Sequence, residues 1–276
     1  MIFKLRTLTF LLIIAIATMA PVCVLSGGET TEISSSTELS SGALVEVIGD
    51  SAEVKISRSS TSSLELKITS HNSEFVDFYT QSLAGSPSTH FVISATTSAD
   101  AIVKANSTIE LAIPAGVQLA VRTTNRGITV DSVDLISASL ETTDGKISVT
   151  NSSGDFDLDT TNFEVTVQAV DGYVNIATTN AHVWFDGVVD EGTNSISTTN
   201  GDISLRLRSG SNVLATGSTH NGEVTIDGGS DGVTKDGDTA TLEHLVNDGQ
   251  ATLNISNGPG AIHINPDTIA VFDGDS

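Results

Sequence analysis

Three aspartates at alternate positions, Asp155, Asp157 and Asp159 in GDFDLDTT, put three carboxylates on one side of an extended strand and Phe156 and Leu158 on the other. Carboxylate oxygens are what a hard cation binds, so this face is a candidate Ca2+ site. The solvated outer face of an acidic protein has the same spacing. A second acidic group, Asp227, Asp231, Asp236 and Asp238, lies in a Gly-rich stretch. It fits neither familiar calcium pattern. Ala240 and Thr241 stand where the helix-flanked loop needs Asp or Asn and then Gly, and Asp231 stands where the nonapeptide roll needs Gly. That stretch reads better as a surface loop.

Recognition is the other chemistry on offer. Trp184, with His182 and Tyr173 nearby in sequence, is a candidate surface-binding patch. Val183, Trp184 and Phe185 are consecutive, so which of them point inward is ambiguous, and packing under a neighbouring loop is the alternative for Trp184. Asn106, Asn151 and Asn254 stand in N-x-S/T sequons and are candidate glycosylation positions. No catalytic residue is assigned. The histidines, His71, His90, His182, His220, His244 and His263, show no metal-ligand spacing, and no nucleophile elbow, phosphate loop or dinucleotide fingerprint occurs. Cys23 is the sole cysteine, which excludes an intramolecular disulfide.

The elements that must position these residues come from a repeat. TTNGDISL at 198–205 has near-copies in TTDGKISV (142–149), TTNFEVTV (160–167) and TTNAHVWF (178–185). Counting Thr198 as position 1, position 3 is often Asn or Asp, position 4 often Gly, and positions 6 and 8 are apolar. Starts at 142, 151, 160, 169 and 178 keep a strict nine-residue beat. The beat extends with slips from Val45 and Val47 to Ile262 and Ile264, and weakens where Asn194 takes position 6. An apolar pair two apart is a strand with one buried side. The polar positions 1 and 2 argue against a hairpin meander, in which both flanks of the turn would alternate. The expected fold is therefore all-β, a single-stranded parallel β-solenoid of nine-residue strand–turn units, with two or three units per coil. Segments 69–103 and 265–276 are the expected caps.

Composition agrees. Among 276 residues, 38% are hydrophobic but only 4% aromatic, so the core must be aliphatic. The net charge of −22 opposes contact with nucleic acid and anionic membranes. Lys4 and Arg6 precede an apolar run from Leu8 to Ala17, the layout of a secretory signal. If uncleaved, the run from Thr7 to Leu25 is an anchor, the one contact with a membrane that the sequence suggests. The expected division is a signal peptide or anchor at 1–26, a Ser/Thr-rich linker at 27–39, one domain at 40–265 with a Gly/Asp-rich loop inserted at 227–247, and a tail at 266–276.

The segment STIELAIPAGVQLAVRTTNRGITV (107–130), followed by the Asn-Gly repeats, resembles a broad family of adhesin-like domains of envelope and secreted proteins. The resemblance covers residues 40 to 265. It implies a parallel β-solenoid and a surface-displayed, non-catalytic module, and it carries over no catalytic residue; the Ca2+ considered above, from aspartate spacing alone, is the one cofactor the sequence suggests. The expected role is thus structural or binding, on the extracellular side, toward a surface glycan or protein. The alternative is a polysaccharide-active enzyme on the same scaffold, for which the sequence has few aromatic platforms and scattered basic residues. A third reading, an ice- or mineral-binding threonine array, rests on pairs such as Thr142–Thr143 and Thr160–Thr161.

Overall fold

The computed structural model describes residues 30–71, 76–83, 87–97, 106–190, 192–227 and 232–266. Asp231, the tail from 267, and the segment expected to be a signal or anchor, with Cys23, lie outside the described residues. All regular structure among the described residues is β. In chain order the strands are β1 (Thr30–Gly49), β2 (Ala52–Arg58), β3 (Ser63–His71), β4 (Val76–Leu83), β5 (Ser88–Thr97), β6 (Asn106–Ile113), β7 (Val117–Thr123) and β8 (Ile128–Asp131). Then come β9 (Asp134–Thr142), β10 (Ile147–Thr150), β11 (Ser153–Thr160), β12 (Val165–Gly172), β13 (Val174–Thr178), β14 (Val183–Val189), β15 (Thr193–Thr198) and β16 (Ile203–Leu207). The last are β17 (Val213–His220), β18 (Val224–Ile226), β19 (Val233–Asp236), β20 (Thr239–Val246), β21 (Ala251–Asn257) and β22 (Ile262–Pro266). They join in one large mixed sheet that is not a barrel.

Between β7 and β16 the pairing is regular. Odd strands β7, β9, β11, β13 and β15 pair in parallel, and even strands β8, β10, β12, β14 and β16 form a second parallel ladder. Ile147 meets Val165 and Val165 meets Val183, so each unit lies beside the unit two nine-residue steps away. The ends break chain order. β1 lies between β5 and β7, and β2 between β6 and β8. At the other end β21 lies between β15 and β17, and β22 between β16 and β18. The sheet becomes mixed where antiparallel pairs close these ends: β1 with β3, β3 with β6, β4 with β5, β17 with β20, and β19 with β20. The expectation of an all-parallel stack in chain order is corrected to this extent. Two further differences concern segments expected to be irregular. Residues 30–38, placed in the linker, pair with β3, and the stretch 227–247 contains the β19–β20 hairpin.

The core follows the expected apolar pairs. Ile128, Val130, Ile147, Val149, Val165, Val167, Val183, Phe185, Ile203 and Leu205 line the even ladder, and Phe156, Leu158, Val174 and Ile176 the odd one, all with almost no exposed surface. β-branched side chains suit this pleated, half-buried setting. Asn194 also points inward. It is fully buried, accepts from Val174 N–H at 2.8 Å and donates to the carbonyls of Asp190 at 3.1 Å and Thr252 at 3.4 Å. A buried amide so satisfied keeps the beat where an apolar residue is missing.

The corner letters have separate jobs. The first threonine turns in: Thr123, Thr142, Thr160, Thr178 and Thr198 are all buried, so no two-wide outward threonine array forms. Thr142 Oγ1 donates to Arg126 O at 3.1 Å, Thr160 to Gly145 O at 3.0 Å and Thr198 to Ala181 O at 2.9 Å. Position 3 makes an exposed ladder in which Asn162 donates to Asp144, Asn180 to Asn162 and Asn200 to Asn180, at 2.6 to 3.0 Å. Thr178 Oγ1 is the exception, buried without a hydrogen-bond partner among the described residues. Thr178→Val is therefore expected to be neutral or stabilising, whereas Thr198→Val loses a bond worth about 1 kcal/mol. Paired urea melts check the difference.

Candidate functional site

The outward side of the even ladder carries the site. Cross-strand register sets a row that reads Thr129, Ser148, Thr166, Trp184, Ser204, His263. Val183 and Phe185 face the core, which resolves the parity of this triplet and turns Trp184 outward, 50% exposed. Its cross-strand neighbours Thr166 and Ser204 are short and leave the indole uncovered.

One edge of the row is set by the residues just before each even strand. Lys146 and Glu164 form an ion pair, and the Lys146 hydrogen bond holds the Glu164 carboxyl below its usual pKa. Next along, Asp202 N–H donates to His182 Nδ1 at 3.0 Å, with Asp202 Oδ2 3.3 Å from the same nitrogen. That acceptor role places the proton of the neutral ring on Nε2. Asp202 Oδ1 is itself held by Ala261 N–H at 2.8 Å. Beyond the other edge, buried Asp186 takes a two-pronged bond from Arg208, Nε at 2.6 Å and Nη2 at 2.9 Å. Lys146, Glu164, His182, Trp184 and Asp202 line one shallow groove. Polar side chains fixed in pairs around an open aromatic face make a surface suited to stacking and hydrogen bonding.

The sequence placed His182 and Trp184 together, and the structure does too. Tyr173 is elsewhere. It lies with Asp155 and Asp157 on the outward side of the odd ladder, its carbonyl accepting from Phe156 N–H at 2.8 Å. Lys146, Glu164, Thr166, Asp202 and Ser204 were missed. Reading outward positions 5 and 7 of alternate repeats would have found them, because those letters become neighbours when units pair two steps apart.

Asp155, Asp157 and Asp159 are exposed on β11, as their spacing suggests. Alternate residues on a strand sit about 6.8 Å apart, too far for three carboxylates to close on one ion. Among the described residues no group of three His, Cys, Asp or Glu is arranged to hold a metal. Asp157 accepts instead from Asn175 Nδ2 at 2.8 Å. In the second acidic group, Asp227 lies 3.5 Å from His263 Nε2, Asp236 ends β19, and the Asp238 carbonyl accepts from Asn221 N–H at 2.6 Å. Of the sequons, Asn151 is exposed in a corner with φ of 50°, donating to Asp131 at 3.1 Å. Asn254 is exposed on β21 and accepts from Thr216 at 3.1 Å, while Asn106 opens β6.

Desolvation raises the pKa of Asp159, and the charges of Glu141 and Asp157 raise it further. The folded state therefore disfavours its anion. That penalty is full above the raised folded pKa and fades as pH falls toward the ordinary value of 3.8. Asp159→Asn is expected to raise the melting temperature at neutral pH and to lose that advantage in acid below 3.8. Thermal melts across pH check both halves.

No protein-family model and no curated protein matches the sequence. Solved structures give weak likenesses. A candidate cell adhesion protein from Clostridium sporogenes is 12% identical, with TM-score 0.41, covering 86% of this chain and 100% of that one. A candidate adhesin from Parabacteroides merdae is 9% identical, with TM-score 0.38, covering 84% and 95%. A candidate lipid-binding protein from Parabacteroides distasonis is 11% identical, with TM-score 0.35, covering 84% and 96%. Likeness at this level carries no argument about what the chain does.

Proposed function

We propose that this chain is a secreted or surface-displayed, non-catalytic, adhesin-like module whose two parallel ladders form a β-solenoid scaffold for binding at a cell surface. The observation that supports it most is the exposed Trp184 among side chains already paired with one another. Lys146, Glu164, His182 and Asp202 are each engaged by a neighbour, an arrangement that suits holding a ligand. In this reading residues 1–26 direct export or remain as an anchor, and the acidic surface keeps the module soluble outside the cell. The partner is a surface glycan or protein.

The test is a cell-binding assay with labelled protein, together with mass spectrometry of the mature N-terminus. Saturable binding to cells and a chain found on or outside the cell are expected. Protein confined to the cytoplasm, or no binding to any surface offered, would contradict the proposal.

A further inference from the structure

We infer that the groove over Trp184 binds neutral pyranose units of a glycan, which rests on the proposed binding role and gives it a ligand class. One face of a pyranose ring is apolar enough to stack on an indole, while its rim hydroxyls need donors and acceptors at the edge of that ring. Trp184 supplies the first, half exposed between short Thr166 and Ser204. The polar edge of Lys146, Glu164, His182 and Asp202 supplies the second. His182, bonded through Nδ1 to Asp202 N–H, keeps Nε2–H as a donor in its neutral form.

Charge narrows the class. Lys146 is balanced by Glu164, and with His182 neutral the Asp202 carboxylate leaves the groove slightly negative, which disfavours an anionic ligand. The chain as a whole, at −22, repels polyanions. A protein partner fits less well. A stable protein interface buries about 800 Å² per side around an apolar centre, and here the indole is flanked by Ser and Thr. The groove's volume of about 480 Å³ suits a small-molecule-sized unit.

Trp184 is the only tryptophan in the sequence, so its emission reports this groove alone. The full chain is titrated with cellohexaose and mannohexaose to millimolar concentration, with hexagalacturonate as the charged counterpart. A saturable change with a neutral hexasaccharide, and none with hexagalacturonate, is expected. His182→Ala should weaken the affinity about tenfold and Trp184→Ala should abolish binding heat in calorimetry, both with unchanged melting temperature. Emission that stays flat with both neutral sugars, a preference for hexagalacturonate, or affinity indifferent to both substitutions overturns the inference. The cell assay separates the two levels. If Trp184→Ala binds cells as well as wild type, the groove is wrong and the binding role stands. If wild type binds no cells yet saturates with sugar, the reverse holds.

Discussion

Phe185→Ala is expected to destabilise the protein by about 3–5 kcal/mol, the cost of emptying a well-packed aromatic site. Phe185 is fully buried on β14, between Val167 of β12 and Leu205 of β16 in the even ladder. A side chain placed at Gly187 would come within 3.1 Å of its ring, so the chain passes close beside it. Strands on both sides are held in register, which leaves little room for collapse into the cavity. Phe185→Leu keeps most of the volume and should cost less, about 1.5 kcal/mol. Urea unfolding followed by circular dichroism measures both, and Trp184 emission reports the same strand. A loss below about 1 kcal/mol for the alanine variant would contradict burial at this position.

Gly201→Ala is expected to cost about 2–4 kcal/mol through contact with backbone. A Cβ at Gly201 would stand 2.0 Å from the Ala181 carbonyl oxygen, and one at Gly260 would stand 1.7 Å from the Gly201 oxygen. Neither glycine has a positive φ, so the cost arises from crowding between stacked corners. Gly237 is the contrast. In the β19–β20 turn its φ is +57°, and a Cβ there meets nothing within 4 Å. Gly237→Ala should cost only the strain of a left-handed alanine, about 1 kcal/mol. Melting temperatures of the two variants should separate clearly. Equal losses would show that the corners do not press on one another.

The core was legible because its code is local. An apolar pair two residues apart announces a strand and its inner face, and the pairs from Val45 to Ile264 are buried almost without exception. Ile226, in short β18, is only partly covered. Asn194 shows what a residue-type rule misses, since its position faces inward whatever side chain stands there. Strand order was not legible for a related reason. One Val or Ile pair fits beside any other, so the beat cannot say that Ile255 goes between Ile196 and Gly217. Of the antiparallel closures, β3, β6 and β17 carry apolar pairs of the beat, whereas the start of β1 falls in the expected linker, β4 and β5 in the expected cap 69–103, and β19 and β20 in the expected loop, where the beat breaks. At the site, His182 and Trp184 share a strand entry and were seen together. Tyr173 is close in sequence but belongs to the other ladder. Asp202 and Lys146 are distant in sequence and come near only through the two-unit pairing.

The central claim, that β21 lies between β15 and β17, is tested most directly by cysteine pairing in a Cys23→Ser background. Ser197 is registered with Ser256, and Ser256 with Ser218. Neighbouring strands sit about 4.8 Å apart, within disulfide range, and next-nearest strands at about twice that are beyond it. Under mild oxidation the 197/256 and 218/256 cysteine pairs should crosslink and the 197/218 pair should not. Ready crosslinking of 197 to 218, with 256 left free, would mean that these strands stack in chain order and that this account of the fold is wrong.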